Sequence, residues 1–285
     1  MLYRKPSDLN DSSKLKWRGE RRIIMKKLYS VVTLAAVLMG TTLLLERTGR
    51  VAAAAPSGIK NVVLVHGAFA DGSGWEAVFN ILTNDGYTVA VVQQPETSFA
   101  EDVKFAKAMI DRQSGPVVLV GHSYGGAVIT EAGNDPKVAA LVYINAFALD
   151  AGESSATIEK AVPPAGTGIK VTADGYLYID PAAFHSDFAA DVPEAKTAFM
   201  AQSQVLFSTD SFTSPVKTPA WKSKPTWYMM STADRSINPE QERMMAKRAN
   251  AKTIDVNSSH AAYISHPKET AKLIEEAATS APVHQ

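Results

Sequence analysis

The chain is expected to fold as an α/β domain: a six-stranded, mainly parallel sheet with helices on both faces and a helical cap insertion. Three observations predict this. From residue 59 onward, short apolar runs rich in valine and isoleucine alternate with helix-like segments. Runs of that kind, apolar at every position, suit strands covered on both faces. One such run, Val117-Val118-Leu119-Val120, ends in Gly121-His122-Ser123-Tyr124-Gly125 and leads into helix-forming sequence, the layout of a strand that turns sharply into a helix. Residues 146–220 alone break the alternation.

The elements follow in order. Residues 59–65 form the first strand, and residues 66–74 a glycine-rich loop. Residues 75–82 read as a helix with Gly86 just past its end, where a left-handed residue commonly stops a helix. Residues 87–92 are the second strand. Residues 99–112 are helical, with Val103, Phe105, Ala106, Met109 and Ile110 spaced near one face. Residues 117–120 and 138–144 are the third and fourth strands, 226–230 the fifth and 252–256 the sixth. Helices are expected at 239–249 and 267–278, where Pro239 and Pro267 each suit a first turn. Alternation of this kind implies parallel strands joined by right-handed crossovers. Between the fourth and fifth strands the sequence shows no clear strand, but it carries Tyr176, Tyr178, Phe184, Phe188, Phe199 and Phe207. A structureless loop of that length is improbable in a compact domain. The segment is therefore read as a mostly helical cap over the strand ends, lining a pocket with apolar side chains.

The 285 residues have a globular composition, 46% hydrophobic and 20% charged, with formal net charge zero. The sum hides an asymmetry: residues 1–55 carry a net +7 and the remainder −7. A mildly acidic body argues against nucleic acid as a partner. There is no cysteine, which excludes disulfides, thiolate nucleophiles and cysteine-ligated zinc.

Residues 1–55 read as an export signal with a polar leader, cleaved from the folded domain at 56–285. Arg21-Arg22-Ile23-Ile24-Met25-Lys26 precedes an apolar run at 28–45, and Val51-Ala52-Ala53-Ala54-Ala55 offers small residues for cleavage. Basic, then apolar, then small is the order of a secretory signal. The arginine pair also resembles a twin-arginine signal, although Glu20 stands where Ser or Thr is usual. The 18-residue run leaves an uncleaved membrane anchor as the alternative.

The candidate chemistry centres on Ser123. A sharp turn would hold it in a strained conformation above the sheet edge, with Gly121 and Gly125 allowing backbones to crowd. The Tyr124 amide, at a helix start, would point at developing negative charge. A hydroxyl needs a positioned imidazole to become a nucleophile. Of six histidines, His260 lies just past the sixth strand, at the sheet edge where the turn also emerges. His122, next to the serine, is expected to point into the fold. Asp234, just past the fifth strand, would hold the imidazole in the right tautomer and stabilise its cation, with Asp150 as the fallback. A second oxyanion donor should come from the loop after the first strand, from Ala68 or alternatively Phe69.

Together, His66-Gly67-Ala68, Gly121-His122-Ser123-Tyr124-Gly125-Gly126, Asp234-Arg235-x-Ile237 and Ser259-His260-Ala261 resemble the α/β-hydrolase superfamily. More narrowly, they resemble bacterial relatives of its plant methylesterase and hydroxynitrile-lyase branch. The resemblance spans about residues 59–280. It implies a six-stranded parallel core, a helical cap between the fourth and fifth strands, no cofactor and no metal. It also implies a catalytic set of Ser123, Asp234 and His260, with an oxyanion hole at the amides of Ala68 and Tyr124. The lyases of the branch carry a lysine after the catalytic histidine and a threonine in the first loop. Here those places hold Ala261 and Gly67, which favours hydrolysis. Superfamily dehalogenases and epoxide hydrolases carry an aspartate in place of Ser123, which disfavours those chemistries. The expectation is an exported serine hydrolase of small-molecule carboxylic esters, touching a membrane only through its export signal. The alternatives are the same set of residues acting on amides, thioesters or carbon–carbon bonds, or a non-catalytic binding protein on the same fold.

Overall fold

In the computed structural model, residues 58–282 are described. The expectation for residues 1–55 lies outside them. Among the described residues no helix is long and apolar enough to cross a membrane.

Strands β1 (Asn61–Val65), β2 (Thr88–Val91), β3 (Val117–Ser123), β4 (Val138–Ala146), β8 (Thr226–Ser231) and β9 (Lys252–Val256) form one sheet in the order β2-β1-β3-β4-β8-β9. Every neighbouring pair is parallel. The apolar runs occupy the middle: β1, β3 and β8 are buried at every residue. The edge strands β2 and β9 carry Thr88, Lys252, Thr253 and Asp255, and are partly exposed. Charged and polar residues at such edges discourage pairing with another chain.

Connection handedness places the helices. Helix α1 (Glu76–Asn84) links β1 to β2 in one direction across the sheet, whereas α2 (Phe99–Asp111) and α3 (Tyr124–Ala132) lead from β2 to β3 and from β3 to β4 in the other. Right-handed crossovers running in opposite directions put α1 on one face and α2 and α3 on the other. Accordingly α2 packs on α3, and α1 packs on α10 (Pro267–Ser280). The loops leaving β1 and β3 therefore diverge to opposite faces, opening a crevice at the carboxyl ends of the strands, where ligands of such sheets bind.

Backbone strain collects at that end. Phe69 (φ 64°), Glu96 (φ 56°), Ser123 (φ 52°) and Asn145 (φ 46°) follow or end four adjacent strands. Positive φ in non-glycine residues persists only where the surroundings enforce it, and it clusters at functional sites. β3 runs three residues beyond the expected stop at Val120, because Gly121, His122 and Ser123 still pair with Tyr143, Ile144 and Ala146 of β4. The turn that follows is tight enough to require its glycines. A methyl group on Gly121 would lie 2.5 Å from the Gly125 carbonyl oxygen, and one on Gly125 would lie 2.4 Å from the His66 carbonyl oxygen and 2.7 Å from that of Val65. Both obstacles on Gly125 are backbone, so Gly125→Ala must push the β1 exit away from the turn. We expect a loss of about 1–3 kcal/mol, read as a fall of several degrees in the thermal midpoint. An unchanged midpoint would mean that the β1 exit yields freely.

The insertion between β4 and β8 is only partly as expected. It holds helices α4 (Ser155–Ala161), α5 (Pro181–Phe188), α6 (Glu194–Gln202) and α7 (Thr209–Thr213). It also holds an antiparallel sheet of β5 (Ile169–Val171), β6 (Tyr176–Ile179) and β7 (Phe207–Ser208), where no strand was anticipated. The β5–β6 hairpin turns through Asp174-Gly175, with Gly175 at φ 83°. β6 alternates its faces, burying Leu177 and Ile179 while Tyr176 and Tyr178 stay partly exposed. The Lys217 amide donates to Glu131 Oε2 of α3 at 2.7 Å, and the Ser208 amide donates to the Glu96 carbonyl at 2.9 Å. These bonds tie the insertion to the body at two separate points. Helix α8 (Pro239–Arg248) follows β8, and the short α9 (Ala262–Ser265) precedes α10.

Candidate active site

The loops after β3, β8 and β9 bring Ser123, Asp234 and His260 to one rim. Asp234 Oδ2 lies 2.6 Å from His260 Nδ1, in residues 4% and 1% exposed. The other carboxylate oxygen, Oδ1, accepts the amides of Ser236 at 2.7 Å and Ile237 at 2.8 Å. This is a fixed acceptor, with each of its oxygens occupied by N–H donors. A carboxylate so placed holds Nδ1 as the donor, which leaves Nε2 as the basic atom. That Nε2 is buried and, among the described residues, has no hydrogen-bond partner. His260 and Ser123 line the same cavity.

The approach to Ser123 is narrow. A methyl on Gly67 would lie 2.6 Å from Ser123 Cβ and 2.8 Å from His122 Nδ1. The loop after β1 therefore passes directly against the serine, and only glycine fits there. Ala68 and Tyr124 line the cavity beside it. Among the described residues neither of their amides donates to a protein acceptor. For Tyr124 this follows from its place at the start of α3, since first-turn amides have no partner within their own helix. Phe69 also lines the cavity. Asp150 stands apart from this set. It pairs with Lys222, whose hydrogen bond holds its carboxyl below the usual range.

Three supporting groups carry no signal in the motifs. His122 points into the fold as expected, but it does so against His260: the ring centroids are 4.7 Å apart, and His122 Nε2–H donates to the His260 carbonyl at 3.0 Å. Burial, followed by the nearby His260 ring, holds its pKa well below the usual range, so it is a neutral brace. Glu242, completely buried on α8, accepts the Ser231 amide at 3.2 Å and Asn145 Nδ2 at 3.3 Å. Burial and then the Asp234 charge push its carboxyl well above the usual range. Protonated, it sits beside Asp234 without repelling it.

The third group lies behind Tyr124. Asp102 Oδ2 accepts the Tyr124 hydroxyl at 2.6 Å and the cap hydroxyl of Ser211 at 3.0 Å, while Oδ1 accepts the Glu96 amide at 2.7 Å. Glu96 itself is fully buried with His66 Nδ1 3.4 Å away, and burial pushes its carboxyl up to about 7. These contacts hold the β1 exit, the β2 exit, α3 and the cap in one polar knot.

The cavity beside these residues spans about 590 Å3, the solvent at its mouth included. Its walls are largely apolar, from Phe147, Leu177, Phe188, Phe207 and Phe212, and cap residues supply most of them. Among the described residues no group of three or more His, Asp or Glu side chains is placed to hold a metal ion. A rigid imidazole–carboxylate pair beside a strained hydroxyl and two free amides is suited to acyl transfer.

Comparison with known proteins agrees with this architecture. A family model described as the alpha/beta hydrolase family matches residues 62–273. A carbendazim hydrolyzing esterase of Nocardioides sp. (strain SG-4G) is 35% identical over 119 residues, covering 36% of this chain and 49% of the relative. The match thus spans about half of that relative's length. The crystal structure of a pyrethroid hydrolase from Sphingobium faniae JZ-2 superposes with a TM-score of 0.67 at 23% identity, covering 78% of this chain and 98% of that one. A methylesterase protein from Arabidopsis superposes with a TM-score of 0.62 at 16% identity, covering 75% and 96%. At these identities the two structures speak to the fold, which includes that of the plant methylesterases.

Proposed function

We propose that this chain, which belongs to the alpha/beta hydrolase family, hydrolyses carboxylic esters through an acyl-enzyme formed on Ser123. One observation carries the reading. The Asp234–His260 pair is closed at 2.6 Å, and its free Nε2 opens on the cavity that Ser123 lines. The esterase names borne by similar proteins support it.

In this mechanism Ser123 Oγ attacks the ester carbonyl carbon while His260 Nε2 takes its proton. The carbonyl electron pair moves onto oxygen, and the amides of Ala68 and Tyr124 receive the charge. Asp234 stabilises the imidazolium. The tetrahedral species collapses, the C–O bond to the alcohol breaks, and the alcohol leaves with the proton from His260. Water then attacks the acyl-enzyme by the same route and frees the acid. The reading keeps the export address at residues 1–55, on the basic, apolar, small-residue order of that segment.

The test is a fluorophosphonate probe combined with a chain-length series of nitrophenyl esters. We expect stoichiometric labelling that maps to Ser123 and eliminates ester turnover. Ester turnover that survives full labelling, or a protein that neither labels nor turns over any ester, would overturn the reading.

A further inference from the structure

The apolar cavity has one polar stretch that the chemistry above does not use. It lies on α4, whose start is fixed by a reciprocal cap between Ser154 and Thr157. The helix is held from below by the buried Ile158 and by Gln241 Nε2, which donates to the Ile158 carbonyl at 3.1 Å. Ser155 and Glu159 are four residues apart, so they share one face of this helix, and both line the cavity. Ser155 is 2% exposed, and among the described residues its buried Oγ has no hydrogen-bond partner. A buried hydroxyl left unpaired is destabilising, so an orphan in a native fold calls for an explanation. Glu159 is half-buried on the same face. Burial alone raises its carboxyl pKa to about 8, with no cation close enough to offset it.

The other charged groups on the wall are already matched. Arg235 Nε lies 3.3 Å from Asp187 Oδ1, and its Nη2 donates to the Ala165 carbonyl at 3.1 Å. Asp187 Oδ2 accepts the amides of Thr167 and Gly168, each at 3.1 Å. His260 is engaged by Asp234. Once these are paired, Glu159 is the uncompensated acid, and the Ser155 oxygen beside it is free to accept or donate.

We propose that Ser155 and Glu159 form a recognition site for an amine carried by the ester substrate, with Glu159 pairing the ammonium and Ser155 accepting a second N–H hydrogen bond. The inference deepens the esterase reading and rests on it. The acid selects against substrates with a second anionic group. A plain alkyl chain would leave both polar groups dry and unpaired, and a site built to hydrogen-bond a polar group discriminates strongly against an analogue that lacks it. When the amine binds, the proton held by Glu159 passes to solvent or to the incoming neutral amine.

The experiment compares kcat/KM for the nitrophenyl ester of an ω-amino acid with that for the alkanoate of equal length. It uses the wild type, Glu159→Leu, Glu159→Gln and Ser155→Ala. We expect the wild type to favour the amino ester at least tenfold. Glu159→Leu should invert that preference by slowing the amino ester and quickening the alkanoate. Glu159→Gln should weaken the preference, and Ser155→Ala should weaken it about threefold. In parallel, titration calorimetry with phenethylamine and with 2-phenylethanol reads the site without catalysis. The amine should bind at least tenfold more tightly, with proton release seen as a dependence on buffer ionisation heat, and Glu159→Leu should remove both. An unaltered ester ratio across the variants, or equal affinity for amine and alcohol, would overturn the amine site while leaving the esterase reading standing. Absence of turnover for both esters would sink the esterase reading, and calorimetry would then decide the amine site alone.

Discussion

Ser123→Ala should lower nitrophenyl acetate turnover by about 10^5–10^6-fold, the scale reached when the nucleophile of such a set is lost. The protein should keep its thermal midpoint. The size of the effect follows from division of labour. Without the hydroxyl, the free Nε2 of His260 and the amides beside the cavity can still orient and polarise an ester, but no acyl-enzyme forms. The small effect on stability has a local reason. The strain at Ser123 resides in its backbone (φ 52°, ψ −124°), which alanine inherits unchanged, and the neighbouring glycines that permit it remain in place. Turnover and a melting curve on the same sample check both halves. Turnover within tenfold of wild type would remove Ser123 from the mechanism.

Asp234→Asn should cost about 10^4-fold in kcat with little unfolding, by a different route. The replacement is isosteric, and the amide oxygen can still accept from Ser236 and Ile237. The nitrogen must then face His260 Nδ1, and an N–H donor there forces the ring into the tautomer with its proton on Nε2. That atom cannot take the serine proton. A comparable substitution in a Ser-His-Asp enzyme gives a loss of this order. Asp150→Asn provides the contrast: it weakens the pair with Lys222, neither residue of which lines the cavity, and kcat should stay within about twofold. Equal losses in the two variants would mean that neither carboxylate is specific to the imidazole.

The parallel body was legible because its inner strands β1, β3 and β4 are buried on both faces, so their apolar runs carry almost no polar interruption. The rim positions of Ser123, Asp234 and His260 then follow from strand order alone, each residue lying at or just past a carboxyl end. The cap resisted reading for a different reason. Its strands are two to four residues long, too short for a period to emerge. One signal was nonetheless present: Asp174-Gly175 followed by Tyr176-Leu177-Tyr178-Ile179 is a turn dipeptide leading into an alternating aromatic and aliphatic run. The supporting acids were also visible in principle. Glu242 falls on the same helical face as Met245, Ala246 and Ala249, and Asp102 on the face of Phe99, Val103 and Ala106; all are buried. An acid inside an apolar stripe contradicts its own pattern, and such contradictions concentrate where function or strain resides. What no pattern could supply is the partner of each acid, because those bonds span sequence separations of up to 109 residues.

The polar knot at Asp102 also bears on how molecules enter and leave. One carboxylate oxygen is shared by the Tyr124 hydroxyl and the Ser211 hydroxyl, so the roof and the helix that follows Ser123 are bolted through a single atom. A roof fastened at that corner cannot swing up as a whole without loosening the floor beneath it. Substrate and product then come and go while the roof stays fastened at that corner, unless both bonds to that oxygen are given up.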